Sequence, residues 1–102
     1  MPISSKQRAE LRAEAHHLSP TVHVGHQGVT DSLVQSLDDA LRTHELVKVA
    51  LNRTVEAKPK ELAGELATRV DADVVQVIGK TATLYRRNPE LELKGGTPPW
   101  RR

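Results

Sequence analysis

The chain has no cysteine and no phenylalanine, and a single tyrosine and tryptophan among its 102 residues. Without cysteine there are no disulfides, no thiolate metal ligands and no cysteine nucleophile. With aromatics at 2%, any core must be built from Val, Leu, Ile and Ala. No apolar run approaches the roughly 18 residues needed to cross a bilayer. The opening Met1-Pro2-Ile3-Ser4-Ser5-Lys6 lacks the apolar stretch of a secretory signal, so a soluble cytoplasmic protein is expected. Charge of one sign is missing too: 15 Lys and Arg face 13 Asp and Glu, a net of +2. Such mixing over most of the length excludes a one-signed disordered chain. The length suits one domain.

The small excess of positive charge is unevenly placed. From Arg86 onward come five bases (Arg86, Arg87, Lys94, Arg101, Arg102) and two acids, leaving ten bases and eleven acids before them. An argument for an anionic partner must therefore rest on where charges sit.

Local patterns divide the chain into seven elements. Ser4-x-x-Gln7 has the form of a capping box, followed by Leu11, Ala15 and Leu18 at helical spacing. Arg8, Arg12 and His16 form a basic row beside that stripe, with Glu10 and Glu14 opposite. Pro20 ends the helix, and Thr21-Val22-His23-Val24 reads as a short strand. After Gly25-His26-Gln27-Gly28, Thr30 is placed to cap a second helix carrying Leu33, Val34, Leu37 and Leu41. Leu46–Leu51 alternates as a second strand, with Lys48 opposite in parity to Val47 and Val49. Pro59 opens a third helix with Leu62, Leu66 and Val70. Val74–Ile78, the Gly79-Lys80 turn and Thr81–Arg86 form a hairpin. The expectation is an α/β fold of order α-β-α-β-α-β-β, a single domain over residues 4–87 with a mixed four-stranded sheet and packed helices. A mobile basic tail follows over 88–102.

Catalytic signatures are missing: no nucleophile elbow, no phosphate-binding G-x-x-x-x-G-K-[ST] loop, no H-E-x-x-H. The acidic pairs Asp38–Asp39 and Asp71/Asp73 read as solvated carboxylates on a helix face and beside a loop. His16 and His17 point in different directions on a helix, and His23 and His26 have no adjoining Cys or carboxylate. A non-enzyme without metal or other cofactor is expected.

Gly25-x-x-Gly28 carries more chemistry. It lies between a strand and a capped helix, where N–H groups and the helix dipole favour an anion. Glycine at both ends lets a phosphate approach the backbone without Cβ interference. A GxxG loop clamps nucleic-acid backbone in this way in KH-type modules.

A family resemblance adds to this reading. The stretch Lys6-Gln7-Arg8, Leu11-Arg12, Ala15-His16, Leu18, Pro20 and Val24-Gly25-x-x-Gly28-x-Thr30 is similar to the opening of the CRM domain. The blocks His44-Glu45-Leu46-Val47-Lys48-Val49, Val75-Gln76-Val77-Ile78-Gly79-Lys80-Thr81 and Leu84-Tyr85-Arg86 match later parts of it. The whole resembles the stand-alone bacterial YhbY family. The resemblance implies an RNA-binding module with the element order above and a fold similar to the C-terminal domain of translation initiation factor 3. It also implies association with large-subunit rRNA or its precursor particle. The family's RNA loop falls on Gly25, His26, Gln27 and Gly28, with His26 where the family commonly has Lys or Arg.

The expected RNA surface comprises that loop with Arg8, Arg12, His16, Lys48, Lys80 and Arg86. It acts by phosphate contacts in a monomer that assists large-subunit assembly. Few aromatics argue for recognition of RNA shape and backbone over a stacking platform, and Tyr85 reads as packed in the fold. The rival is an adaptor that docks on a ribosomal protein or assembly factor through its sheet or its acidic second helix.

Overall fold

The computed structural model describes residues 4–25, 27–52 and 58–88. Its first helix, α1 (Ser5–Ala15), starts as a reciprocal capping box. Ser4 Oγ accepts the Gln7 N–H at 3.1 Å, and Gln7 Oε1 accepts the Ser4 N–H at 3.0 Å. The helix stops at Ala15, earlier than the apolar stripe suggests. The His17 and Leu18 N–H groups turn back onto the carbonyls of Glu14 and Ala15, and Pro20 prevents any further turn. Leu18, expected on the buried stripe, is consequently exposed.

The remaining elements are β1 (Val22–Val24), α2 (Asp31–His44), β2 (Leu46–Leu51), α3 (Pro59–Val70), β3 (Asp73–Ile78) and β4 (Thr81–Tyr85). Thr30 Oγ1 caps α2 by accepting the Leu33 N–H, as its place before Leu33 and Val34 led one to expect. Pro59 occupies the first turn of α3, where its missing N–H costs nothing. The expected order α-β-α-β-α-β-β is the observed one.

The strands form one mixed sheet in the order β1-β2-β4-β3. β1 runs parallel to β2, with Val22, His23 and Val24 opposite Val49, Ala50 and Leu51. β4 is antiparallel to both β2 and β3. A bulge between Val74 and Gln76 interrupts the β3 register, and the Gly79-Lys80 turn uses Gly79 at φ +56°.

Alternation sends side chains to two faces. Val22, Val24, Val47, Val49, Leu51 and Leu84 pack against Leu37 and Leu41 of α2 and Leu62, Leu66 and Val70 of α3. Each fully buried leucine contributes about 1.5–3 kcal/mol through removal from water. On the other face Leu46, Val75 and Tyr85 meet Leu11 and Ala15 of α1. Tyr85 is thus a core residue. The bulge fits this arrangement, because the extra residue lets Val75 reach α1.

Glu45 joins α2 to β2 in a backbone conformation unusual for a non-glycine residue, φ +64°, and is completely buried. Its carboxylate accepts the Asn88 N–H at 2.6 Å and its carbonyl accepts the Arg86 N–H at 2.9 Å. The chain leaving β4 is thereby tied to the start of β2.

Candidate functional site

The Gly25–Gly28 segment lies where the parallel strands β1 and β2 end. The Gly28 N–H donates to the Gly25 carbonyl at 2.9 Å, closing the segment into a tight turn. Gly28 adopts φ +73°, a conformation that disfavours any Cβ. Gly25 has no such constraint, and a Cβ built there meets nothing within 4 Å. Its lack of a side chain serves no packing need inside the fold. His26 lies outside the described residues.

Two hydrogen bonds bring further loops to the same end of the sheet. The Asn52 N–H donates to the Val24 carbonyl at 2.9 Å, and the Leu51 N–H donates to the Lys80 carbonyl at 2.7 Å. The Gly25 loop, the end of β2 and the Gly79-Lys80 turn are therefore neighbours. A cleft of about 350 Å³ is lined by His23, Gly25, Gln27, Gly28, Thr30 and Leu33. A second, of about 210 Å³, is lined by His23, Val24, Gly25, Ala50, Leu51 and Asn52. His23 and Gly25 border both.

The start of α2 is less welcoming to an anion than the capped loop alone suggests. Asp31 stands in its first turn, fully exposed, with one carboxylate oxygen 3.3 Å from Arg69. Its charge already complements the dipole that a phosphate would use.

The six basic residues singled out in the sequence separate into two groups. Lys48 lies on the α1 side of the sheet, with its Nζ 3.3 Å from the Leu18 carbonyl past the end of α1. Arg12 on α1 and His16 just past its end are exposed, on that same side, and Lys80 lies in the turn beside the glycine loop. Arg8 and Arg86 are engaged in the fold. Arg8 Nη1 donates to the Val74 and Val75 carbonyls at 2.6 and 2.9 Å, satisfying acceptors at the β3 bulge. Arg86 reaches the opposite face of the sheet. Its Nη1 donates to Asp38 Oδ1 at 2.7 Å and to the Val70 carbonyl at 2.8 Å, and its Nη2 donates to the Asp38 carbonyl at 3.1 Å.

Asp38, expected to be solvated, is the half-buried partner in that arrangement. Hydrogen bonds from Arg86 and then Arg42 hold its carboxyl below the ordinary value of 3.8. Among the described residues no group of three or more His, Asp or Glu side chains is arranged to hold a metal. None of the described helices is long and apolar enough to cross a membrane.

Comparison with known proteins decides the family. The CRS1/YhbY (CRM) domain model matches residues 3–86. The chain belongs to the CRM family. This CRM domain is 36% identical over 90 residues to a Pseudomonas aeruginosa protein named "Probable RNA-binding protein PA4753", covering 88% of this chain and 86% of that one. It is 35% identical over 88 residues to Bacillus subtilis "Probable RNA-binding protein YqeI", covering 86% and 92% respectively. Among solved structures, SAV1595 from Staphylococcus aureus superposes with a TM-score of 0.74 at 32% identity, over 85% of this chain and 91% of that one.

Sequence reasoning missed two features of the domain. Glu45 stood within a quoted block without a role, and its acidic side chain between a helix and an apolar strand was the available signal. Ile78 was read only as a strand residue, yet it is 61% exposed, the most exposed large hydrophobic among the described residues.

Proposed function

We propose that this CRM domain binds RNA through the phosphate backbone, with no chemical step, and acts on large-subunit rRNA or its precursor particle during assembly. The Gly25 loop is the centre of the contact. The observation that carries this reading is the tight turn at the end of β1 in a chain whose relatives are named as RNA-binding proteins. Gly25 supports it, since an open position without a side chain admits a phosphate to the backbone. Gln27 borders the cleft beside it. Lys48, Lys80, Arg12 and His16 supply the surrounding positive or protonatable groups, while Arg8 and Arg86 position the elements that carry them. Because Gly28 spends its N–H inside the turn and Asp31 occupies the α2 dipole, a large part of the affinity rests on these side chains. A single copy holds every group named, so a monomer suffices.

The test is titration of the protein against large-subunit rRNA precursor across a salt series, alongside the double variant His26→Asp/Gln27→Asp. Circular dichroism checks that the variant folds. Affinity that falls steeply with salt and is abolished by the acidic loop supports the reading. Binding that survives the acidic loop moves the contact to α1 and the Lys80 turn. A wild-type protein that fails to bind at near-physiological salt shifts the function to docking on a ribosomal protein or assembly factor.

A further inference from the structure

The α1 side of the sheet is only partly covered. Helix α1 packs over Leu46, Val75 and Tyr85, at the end of the sheet where β2 begins. Toward the glycine loop the register aligns one residue from each strand in a continuous row. His23 is opposite Ala50, Ala50 is opposite Thr81, and Thr81 is opposite Ile78. At about 4.8 Å per strand the row spans about 14 Å. Its two middle members are small, and its two ends, an imidazole and an isoleucine, are exposed. A low floor between two raised ends is a shallow shelf.

A second row, Lys48–Thr83–Gln76, separates this shelf from α1. These seven side chains include a lysine and no carboxylate. The helices on the opposite face carry exposed Asp31, Asp39, Glu61 and Glu65 against exposed Arg42, Lys60 and Arg69, so acids outnumber bases there. The open part of the sheet is thus the side suited to a polyanion. It is also continuous with the glycine loop, because His23 and Ala50 line the cleft that Gly25 borders.

We propose that the His23–Ala50–Thr81–Ile78 row is a base-contacting shelf for unpaired RNA. The inference rests on the RNA-binding reading above and names its substrate class. With the ribose-phosphate chain held at the Gly25 loop, the bases lie over Ala50 and Thr81. His23 stacks at one end, and Ile78 covers a base face at the other. Duplex RNA offers no such contact, since its base faces are stacked away and its major groove is deep and narrow. Contact with base faces tolerates sequence, because every base has one.

The experiment measures fluorescence anisotropy at one low salt concentration with three probes of equal length. They are a mixed-sequence single-stranded oligoribonucleotide, an abasic ribose-phosphate strand and a blunt RNA duplex. Wild type is compared with Ile78→Ser and His23→Ala, each checked by circular dichroism; both side chains are exposed, so folding is retained. The expected result is that wild type binds the base-bearing strand about tenfold more tightly than the abasic strand. Each substitution then removes about threefold or more of that difference, and Ile78→Ser, which lies away from the loop clefts, leaves abasic binding unchanged. Equal affinity for base-bearing and abasic strands, or for single strand and duplex, overturns the shelf while leaving backbone binding intact. Failure of all three probes to bind overturns the RNA-binding reading and the shelf with it.

Discussion

The Arg86 guanidinium donates to the Asp38 carboxylate at 2.7 Å, joining the residue that follows β4 to the middle of α2 across 48 positions of sequence. The same guanidinium also satisfies the carbonyls of Asp38 and Val70. It acts as a rivet between α2, α3 and the end of the sheet. Truncation by Arg86→Ala is expected to cost about 2–3 kcal/mol, because it leaves half-buried acceptors without a donor. Urea denaturation should report that loss. RNA affinity measured well below the melting temperature should stay within about twofold of wild type, since surface charge lost away from a contact changes little.

Acid should reveal the same pair. The Arg86 hydrogen bond, and then the one from Arg42, lowers the Asp38 pKa in the folded state relative to 3.8. The resulting stabilisation is complete above the unfolded value and is lost as pH falls through the lower folded value. Asp38→Asn should therefore be less stable than wild type by about 1 kcal/mol at pH 7, a modest figure because the pair is partly solvated. The difference should shrink below about pH 4. Thermal melts from pH 7 to pH 2 test the sign; a gap that widens in acid contradicts it.

The two glycines of the loop should behave oppositely. Gly28 sits at φ +73°, so Gly28→Ala should lower stability by about 1 kcal/mol. Gly25→Ala enters open space in an ordinary backbone region and should leave the melting temperature nearly unchanged. If the loop takes a phosphate, Gly25→Ala should still weaken RNA binding several-fold. Parallel melting and anisotropy measurements separate the two effects.

Arg8 and Arg12 occupy one row of α1 and should also part company. Arg8→Ala removes the donor to the Val74 and Val75 carbonyls and should cost about 1–2 kcal/mol in stability. Arg12 is exposed, and Arg12→Ala should leave stability within about 0.5 kcal/mol. If it contacts a phosphate, the slope of log affinity against log salt should fall by about 0.7 on single-stranded RNA.

What the sequence disclosed was what local chemistry encodes. Ser4 with Gln7, Thr30 before Leu33, and Pro59 in a first turn each mark a helix start through one backbone interaction. The Val47-Lys48-Val49 alternation assigned Lys48 to the face opposite the valines, and there it reaches the Leu18 carbonyl past the end of α1. Side-chain pairings across long separations left no local trace. Arg8 lies 66 residues from Val74, and Arg86 looked like any solvated base at a strand end. Leu18 kept helical spacing beyond the point where the backbone had already turned. The glycine loop was legible as a motif. The shelf beside it depends on strand order and register, which periodicity alone does not specify.

Strand order also has a consequence for how the protein comes into being. β4, the last strand among the described residues, lies between β2 and β3. During synthesis β1 and β2 emerge long before the strand that joins β2 to β3, so half of the sheet waits with an open, hydrogen-bond-hungry edge. Such late, non-local closure slows folding and leaves the waiting edge prone to wrong pairings. Thr81 belongs to that final strand, and the Lys80 carbonyl meets β2 only when it docks. A nascent chain halted before residue 81 therefore has its glycine loop sequence without the hairpin that braces the end of β2 beside it.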